Sequence, residues 1–262
     1  MALSYSQLST YRRCPKQYEF TAVKKIPRRI SSGESFGSSI HNTLKRWGEL
    51  EILLQQDAPL KKQLKLFAEH EDEVIKKIPL ELATLLGMFR ECFIAEGYEN
   101  RAAMDSGLLR GESVLRKFFD WWKREKRTVV SVESSFKLEI GPVVLSGRFD
   151  RIERSEGGLV IIDYKTSDPR SQESVDNDLQ LSIYALAASK EGEKVDCLRL
   201  LFLGEDEVIE RKTSRNESQL KDAITAIRLL NEGIEGKDFK ATPTREKCRG
   251  CPYREICTSA LR

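Results

Sequence analysis

Residues 159–166 read LVIIDYKT, and the fold turns on this stretch. Leu159 through Ile162 make an uninterrupted apolar run of the kind a strand carries when both of its faces are buried. The run then breaks into an acid, an aromatic and a lysine. Asp163 and Lys165 stand two apart and share one face of a period-2 strand, while Tyr164 points to the other face as packing. A carboxylate and an ammonium held together at a strand end suit the beginning of a catalytic site. The same letters also fit a strand running into solvent with a surface ion pair, so the neighbouring sequence has to decide.

At 262 residues the chain suits one core with a helical elaboration as well as it suits two units. Hydrophobic residues make up 40% and charged residues 32%, with no apolar run long enough to span a bilayer and no secretory leader at the N-terminus. These features point to a soluble, cytoplasmic protein with no membrane partner. The 44 basic and 41 acidic residues nearly balance, net +3, which neither requires nor excludes nucleic acid. The clusters KKIPRR (24–29) and KREKR (123–127) are of the kind that usually form solvated faces.

Outward from the central stretch, the pattern divides in two. The opening SYSQLSTYRRCPKQYEF reads as a helix capped by Ser4 or Ser6, with Leu8, Tyr11 and Tyr18 on its apolar stripe and a break at Pro15. Residues 36–54 place Ile40, Leu44 and Trp47 at helical spacing on an amphipathic helix that carries His41. Further helical patterns cover about 60–77, 80–96 and 108–127, so the first half is mainly helical. From Thr128 the chain turns β-rich: VVSVESSFKLEI, PVVLSGRFDRIER and GLVIIDYKT predict three strands joined at Gly141-Pro142 and Gly157-Gly158. An irregular polar loop, DPRSQESVDN, precedes the helix LQLSIYALAASK. Two strands, VDCLRLLFLG and EVIERKTS, form a hairpin around Glu205 and Asp206, and a helix over 217–231 leads into a basic tail. This order predicts an α/β fold, a mixed sheet with helices packed on it.

The strand before the central stretch ends in GRFD, which sets Asp150 to meet Asp163 across an antiparallel pair. Two carboxylates brought together repel unless a cation lies between them. Hard oxygen donors suit Mg²⁺ or Mn²⁺, and Lys165 beside them could position a water or neutralise charge developing on a phosphate. Asp150, Asp163 and Lys165 together resemble the signature of the PD-(D/E)XK nuclease superfamily. The stretches LSGRFDRIE, VIIDYKTS and NDLQLSIYALA look like RecB-type nucleases, in which an acid, a D/E-x-K pair and a Q-x3-Y helix follow in this order. The resemblance implies a restriction-endonuclease-like core and roles for Gln180 and Tyr184, four apart on one helix face. GSSIHNTL is similar to that family's motif around a metal-binding histidine, which assigns a metal-ligand role to His41 alongside Asp150 and Asp163. Glu133, in the first strand, is a weaker supporting candidate.

Of six cysteines, Cys248, Cys251 and Cys257 crowd the C-terminus as C-x2-C-x5-C, with Cys14 near the other end as a possible fourth. In a cytoplasmic protein metal is a better reading than disulfides. Zinc is the generic choice for four thiolates, but its sites usually come as two short-spaced pairs. Iron-sulfur sites tolerate less regular spacing, with proline after a ligand as at Cys14-Pro15 and Cys251-Pro252. RRCPKQYEF and CRGCPYREIC look like the iron-sulfur staple of AddB-type and CRISPR-associated RecB-type nucleases. That resemblance implies a [4Fe-4S] cluster on Cys14, Cys248, Cys251 and Cys257. Cys92 and Cys197 read as plain core residues.

The expectation is therefore a metal-dependent DNA nuclease, an exonuclease on single strands or DNA ends, serving recombination or repair. Its parts are a helical region over 1–127 with an insertion at about 50–127, a nuclease core over 128–236 and an iron-sulfur segment over 237–262. No G-x4-G-K-[ST] motif is present, so unwinding would fall to a partner helicase. The resemblance also admits a role in CRISPR spacer acquisition with adaptation proteins as partners, and a non-catalytic DNA-binding module on the same fold.

Overall fold

The structure, a computed structural model, describes residues 2–64 and 79–262, with the side chains of 57–64 outside the description. Helix α1 (Tyr5–Arg13) starts at Ser4, whose hydroxyl accepts from Gln7 N while the Gln7 side chain accepts from Ser4 N. This reciprocal cap selects Ser4 over Ser6. Cys14 takes an extended conformation, and Pro15 opens α2 (Pro15–Tyr18), which runs into a π-helical turn over Glu19–Val23. Helix α3 (Ser32–Leu64) is longer at both ends than its apolar stripe predicts. The helical pattern expected over 60–77 continues α3 as far as Leu64, and its remainder lies outside the described residues. Helix α4 spans Leu82–Cys92. Helix α5 (Arg101–Trp122) begins seven residues before the predicted start, because Asn100 accepts from Ala103 N and caps it.

The five strands are β1 (Thr128–Ile140), β2 (Val143–Arg154), β3 (Leu159–Lys165), β4 (Val195–Leu203) and β5 (Val208–Thr213). They lie in one sheet in sequence order, antiparallel throughout except that β3 and β4 run parallel. The crossover between those two contains α6 (Gln172–Asp176) and α7 (Leu179–Lys190). A short helix thus sits where an irregular polar loop was expected, started by the Ser171 hydroxyl accepting from Ser174 N. The chain ends through α8 (Glu217–Glu235) and the single turn α9 (Arg245–Arg249). The sheet is mixed and flanked by helices, as expected from the PD-(D/E)XK resemblance.

Helices cover both faces, and β3 alternates between the two cores. Leu159 and Ile161 pack with Leu8, Leu181, Tyr184 and Ile227 under α1, α7 and α8. Val160, Ile162 and Tyr164 pack with Trp47, Phe89, Phe118 and Trp121 under α3, α4 and α5. Burial of both faces is why LVII reads without alternation. Helices α4 and α5 approach so closely that a Cβ on Gly111 would stand 2.0 Å from the Phe89 ring.

The second core contains a charged seam. Arg151 of β2 is 1% exposed and makes a bidentate pair with Glu51 of α3, while its Nε donates to Glu153 at 2.7 Å. Trp122 Nε1 of α5 donates to the same Glu51 carboxylate at 2.7 Å, and the Arg127 guanidinium lies 3.9 Å over the Trp121 ring. The seam fixes α3 and α5 against β2. Removing one partner of a buried pair strands a charge, at a cost of about 3 to 5 kcal/mol. Glu51→Ala is expected to lose that much stability, read as a lower urea midpoint at unchanged slope; a loss below about 1 kcal/mol, the range of a surface pair, would show the seam to be dispensable.

Candidate active site

Asp163 lies on the α7 side of β3 and is 2% exposed. Three donors converge on its carboxylate. Gln180 Nε2 donates to Oδ1 at 2.8 Å and Tyr184 OH to the same oxygen at 3.1 Å, while Lys165 Nζ stands 2.7 Å from Oδ2. The Lys165 contact has ion-pair distance but not hydrogen-bond angles, so Oδ2 keeps no hydrogen bond of its own. Lys165 Nζ also donates to Gln180 Oε1 at 2.9 Å and Gln180 Nε2 to Tyr184 OH at 2.9 Å, closing a ring of four side chains. The i, i+4 spacing of Gln180 and Tyr184 on α7 delivers both to one carboxylate.

The position of α7 is itself built. Asp178 caps it, accepting from Leu181 N at 2.9 Å, and pairs with Arg170 at 2.8 Å. Arg215 donates to the carbonyls of Val175 and Asp178 and, through Nε, to Ser182 Oγ at 2.8 Å. These supports, absent from the sequence reading, fix the helix that carries Gln180 and Tyr184.

The last described pair between β2 and β3 joins Arg151 to Ile162, and one further step in that register sets Asp150 opposite Asp163. There the ladder gives way to a side chain: Asp150 Oδ2 accepts from Tyr164 N at 2.8 Å. The same oxygen is 3.4 Å from Nδ1 of His41 on α3, whose ring meets Tyr164 edge-on. Glu133 of β1 comes to this place by an unusual backbone. Its φ is +48°, and no pairing joins it to Asp150 although Val132–Arg151 and Ser134–Phe149 pair on either side. The left-handed residue breaks the ladder locally and aims a carboxylate at the site. His41, Glu133 and Asp150 each offer a ligand atom, all within 4.8 Å of one another. An imidazole and two carboxylates form a donor set that fits a divalent cation. The structure thus brings His41 to Asp150 and gathers Asp163, Lys165, Gln180 and Tyr184, but among the described residues the donor group within 4.8 Å contains Glu133 rather than Asp163.

Charge and burial are strongly coupled here. Burial raises the pKa of Asp163, and Asp150 adds to the rise while Lys165 opposes it. For Lys165, burial works against the charge, but Asp163 and Asp150 outweigh it and the pKa is raised. His41 follows the same logic, with burial lowering it and Asp150, Asp163 and Glu133 carrying it above the ordinary value. Burial and the Asp150 charge raise Glu133. Excess negative charge around His41 is thus shared among several groups, the condition a bound cation relieves.

At the opposite end of α1, Cys14, Cys248, Cys251 and Cys257 line one hollow between the two chain ends. Burial opposes the Cys14 thiolate, but hydrogen bonds from the backbone of Thr242, Gln17 and Lys16 hold its pKa below the usual thiol value. Burial raises Cys251, and the neighbouring Cys14 and Cys257 add to the rise. The four cysteines share this hollow, but no three of their sulfurs lie within 4.8 Å of one another, the spacing that His41, Glu133 and Asp150 reach. Cys197 packs partly buried against the second core, as expected for a plain core residue, whereas Cys92 sits 3.8 Å from the Arg46 guanidinium.

A mixed sheet that carries an acid, an acid-x-lysine pair and a Q-x3-Y helix has the arrangement of a nuclease core. The chain belongs to the PD-(D/E)XK nuclease superfamily, whose family model matches residues 2–258. It is also similar to the Gene 69 proteins of Mycobacterium phage D29, 23% identical over 280 residues, and of Mycobacterium phage L5, 21% identical over 285. Both alignments cover 97% of this chain and 95% of the phage protein. A solved Eubacterium rectale structure with a provisional exonuclease name aligns over 100% of this chain and 89% of its own at 13% identity, with a TM-score of 0.47, too low to bear on function. Among the described residues no helix is long and apolar enough to cross a membrane.

The Glu133 backbone yields a test. A non-glycine residue in the left-handed region costs about 1 kcal/mol or more, and asparagine tolerates that region better. Glu133→Asn also removes a carboxylate that crowds Asp150. It should raise Tm by about 2 to 4 °C while weakening Mn²⁺ binding in calorimetry. A Tm lowered by that amount would mean that the Glu133 side chain serves packing rather than a ligand.

Proposed function

We propose that this protein is a RecB-type, divalent-metal-dependent deoxyribonuclease that hydrolyses phosphodiester bonds in single strands or at DNA ends, an exonuclease of recombination or repair. The observation that carries this reading is the closed ring around Asp163: a carboxylate buried at a strand end with Lys165 at 2.7 Å and Gln180 and Tyr184 donating to it, beside Asp150 and His41. On this reading residues 128–236 are the nuclease core, 1–127 its helical region and 237–262 the cysteine-bearing segment. The six cysteines, none in a disulfide among the described residues, suit the reducing cytoplasm.

His41, Asp150 and Asp163 would hold Mg²⁺ or Mn²⁺, with Glu133 in reach of the same place. Such an ion, when bound, supplies Lewis-acid polarisation of the phosphate and lowers the pKa of water. Lys165 presents its ammonium where negative charge develops on the phosphate, and its bond to the Gln180 carbonyl keeps it aimed before substrate arrives. Gln180 and Tyr184 hold the Asp163 carboxylate in one orientation. Burial and the charges of Asp163 and Asp150 raise the Tyr184 pKa, so its hydroxyl stays protonated and remains a donor. Cys14, Cys248, Cys251 and Cys257 would hold a [4Fe-4S] cluster in a structural role, joining chain ends that are also tied by side chains.

Two measurements test the proposal. With Mg²⁺ or Mn²⁺ and end-labelled DNA, Asp163→Ala and Lys165→Ala should each cut on the order of 10³-fold more slowly or worse, with the fold intact by circular dichroism. Wild-type rates from either variant would refute the assigned roles. Anaerobically purified protein should show a broad visible absorption band that bleaches on reduction; zinc without iron in elemental analysis would replace the cluster with a zinc site.

A further inference from the structure

Residues 245–262 carry five basic side chains, Arg245, Lys247, Arg249, Arg254 and Arg262, against two acidic ones, Glu246 and Glu255, a net charge of +3. That equals the net charge of the whole chain, so the 39 basic and 39 acidic residues left from the totals of 44 and 41 cancel. The excess is also gathered in space. Arg245, Arg249, Arg254 and Arg262 line one open cavity of about 360 Å³ whose other walls are Glu246 and Leu261. Several surface arginines elsewhere meet acids, Arg28 with Glu34, Arg46 with Glu91, Arg90 with Glu112 and Arg154 with Glu193, while others among the described residues, such as Arg12 and Arg228, stand singly. Among the described residues none of the four cavity arginines has such a side-chain partner.

Helix α1 links this cavity to the candidate active site. Arg13 donates to Lys247 O at 3.0 Å and accepts at its own carbonyl from Thr242 Oγ1 at 3.2 Å, so the end of α1 is seated on the C-terminal segment. Its neighbour Arg12 lines a separate hollow with Arg170, Ser171 and Asp178, at the start of the helix that carries Gln180 and Tyr184. Two turns back on the same helix, Tyr5 packs against the core that contains Tyr184.

We propose that the arginine cavity binds the phosphodiester backbone of the substrate strand outside the catalytic centre, with Arg12 on the path between them. The inference rests on the nuclease reading above, and the ligand class follows from the charge: repeated phosphates are the partner that unpaired, clustered guanidinium groups match best. The cavity would supply affinity without sequence preference and hold a strand whose scissile phosphate lies at Lys165.

The test uses the full-length protein and labelled single-stranded DNA in metal-free buffer, so that nothing is cut while binding is read by anisotropy. The triple variant Arg245→Ala, Arg249→Ala, Arg254→Ala should bind on the order of tenfold more weakly, and its plot of log K against log salt should be shallower by about 2. The corresponding triple lysine variant should retain both affinity and slope. Unchanged affinity and slope in the alanine protein would overturn the proposal, as would an equal loss in the lysine protein. So would competition by an acidic peptide as effective as that by DNA, which would make the cavity a protein-docking site. A p-nitrophenyl ester of thymidylate is too short to span the cavity and should be turned over equally by wild type and alanine variant when Mn²⁺ is supplied. No turnover by either would defeat the nuclease reading, leaving the binding result to decide the cavity on its own.

Discussion

A carboxylate that is 2% exposed at the end of a strand covered on both faces is the constraint around which this structure is arranged. Burying an ionised acid without partners would cost several kcal/mol, so the fold must bring donors to Asp163. Lys165 comes free with the strand's own period. Gln180 and Tyr184 do not: they require α7 to begin beside the end of β3 and to present one face to it. The parallel crossover accomplishes this, since it carries the chain over the sheet between β3 and β4. Asp178 and Arg215 then fix where α7 starts. Architecture and site are therefore one solution to one electrostatic problem.

The other face of the sheet solves a second problem in the same stretch of β2. Asp150 and Arg151 are adjacent, and each is tied to α3, Asp150 to His41 and Arg151 to Glu51. His41 and Glu51 stand ten residues apart, about 15 Å along the helix. The buried Arg151–Glu51 pair thus acts as a distant clamp that fixes the height and rotation of α3, and with it the imidazole over Asp150. A hydrophobic contact at that position could slide by part of a turn, whereas a bidentate guanidinium–carboxylate pair has one register. Clamp and imidazole both depend on β2 keeping its place beside β3.

These two arrangements differ in how far the sequence discloses them. Strand β3 and helix α7 are legible because each follows from a pattern: an apolar run ended by D-x-K, and strong helix formers from Leu179 to Lys190. Asp150, Asp163 and Lys165 are legible from the strand pattern, whereas Gln180 and Tyr184 enter through the resemblance of their order to the nuclease signature. Helix α6 is not legible, because four polar residues around a single valine, Val175, carry no period. The first two turns of α5 are missed because Arg101, Asp105 and Gly107 hide the stripe, and only the cap at Asn100 marks the start. Glu133 is underweighted because a left-handed residue within a strand breaks the periodicity that makes strands readable. The Arg151 seam is hidden more deeply: Arg151, Glu51 and Glu153 look like solvated charges, and only their mutual pairing makes them core residues.

The two ends of the chain are held together by more than cysteines. Tyr11 OH donates to Asp238 O at 2.7 Å, Tyr253 OH donates to Ile26 O at 3.0 Å, and the Phe20 and Tyr253 rings meet edge-on. These contacts span more than 220 residues of sequence, so each closes nearly the whole chain. Closing a loop of that length removes conformational entropy that grows only slowly with length, so the first closure contributes most and later ones little. Two phenol hydrogen bonds in partly buried positions are worth about 1 kcal/mol each, which is small against that entropy. A thiolate-bound centre at Cys14, Cys248, Cys251 and Cys257 would contribute on another scale, since metal binding by such sites is folding free energy. On the proposed reading the weak polar ties set the geometry in which four cysteines meet, and the centre makes that geometry permanent. The same seating places Arg13 on Lys247, so whatever secures the C-terminal segment also fixes the arginine cavity relative to Arg12 and the site at Asp163.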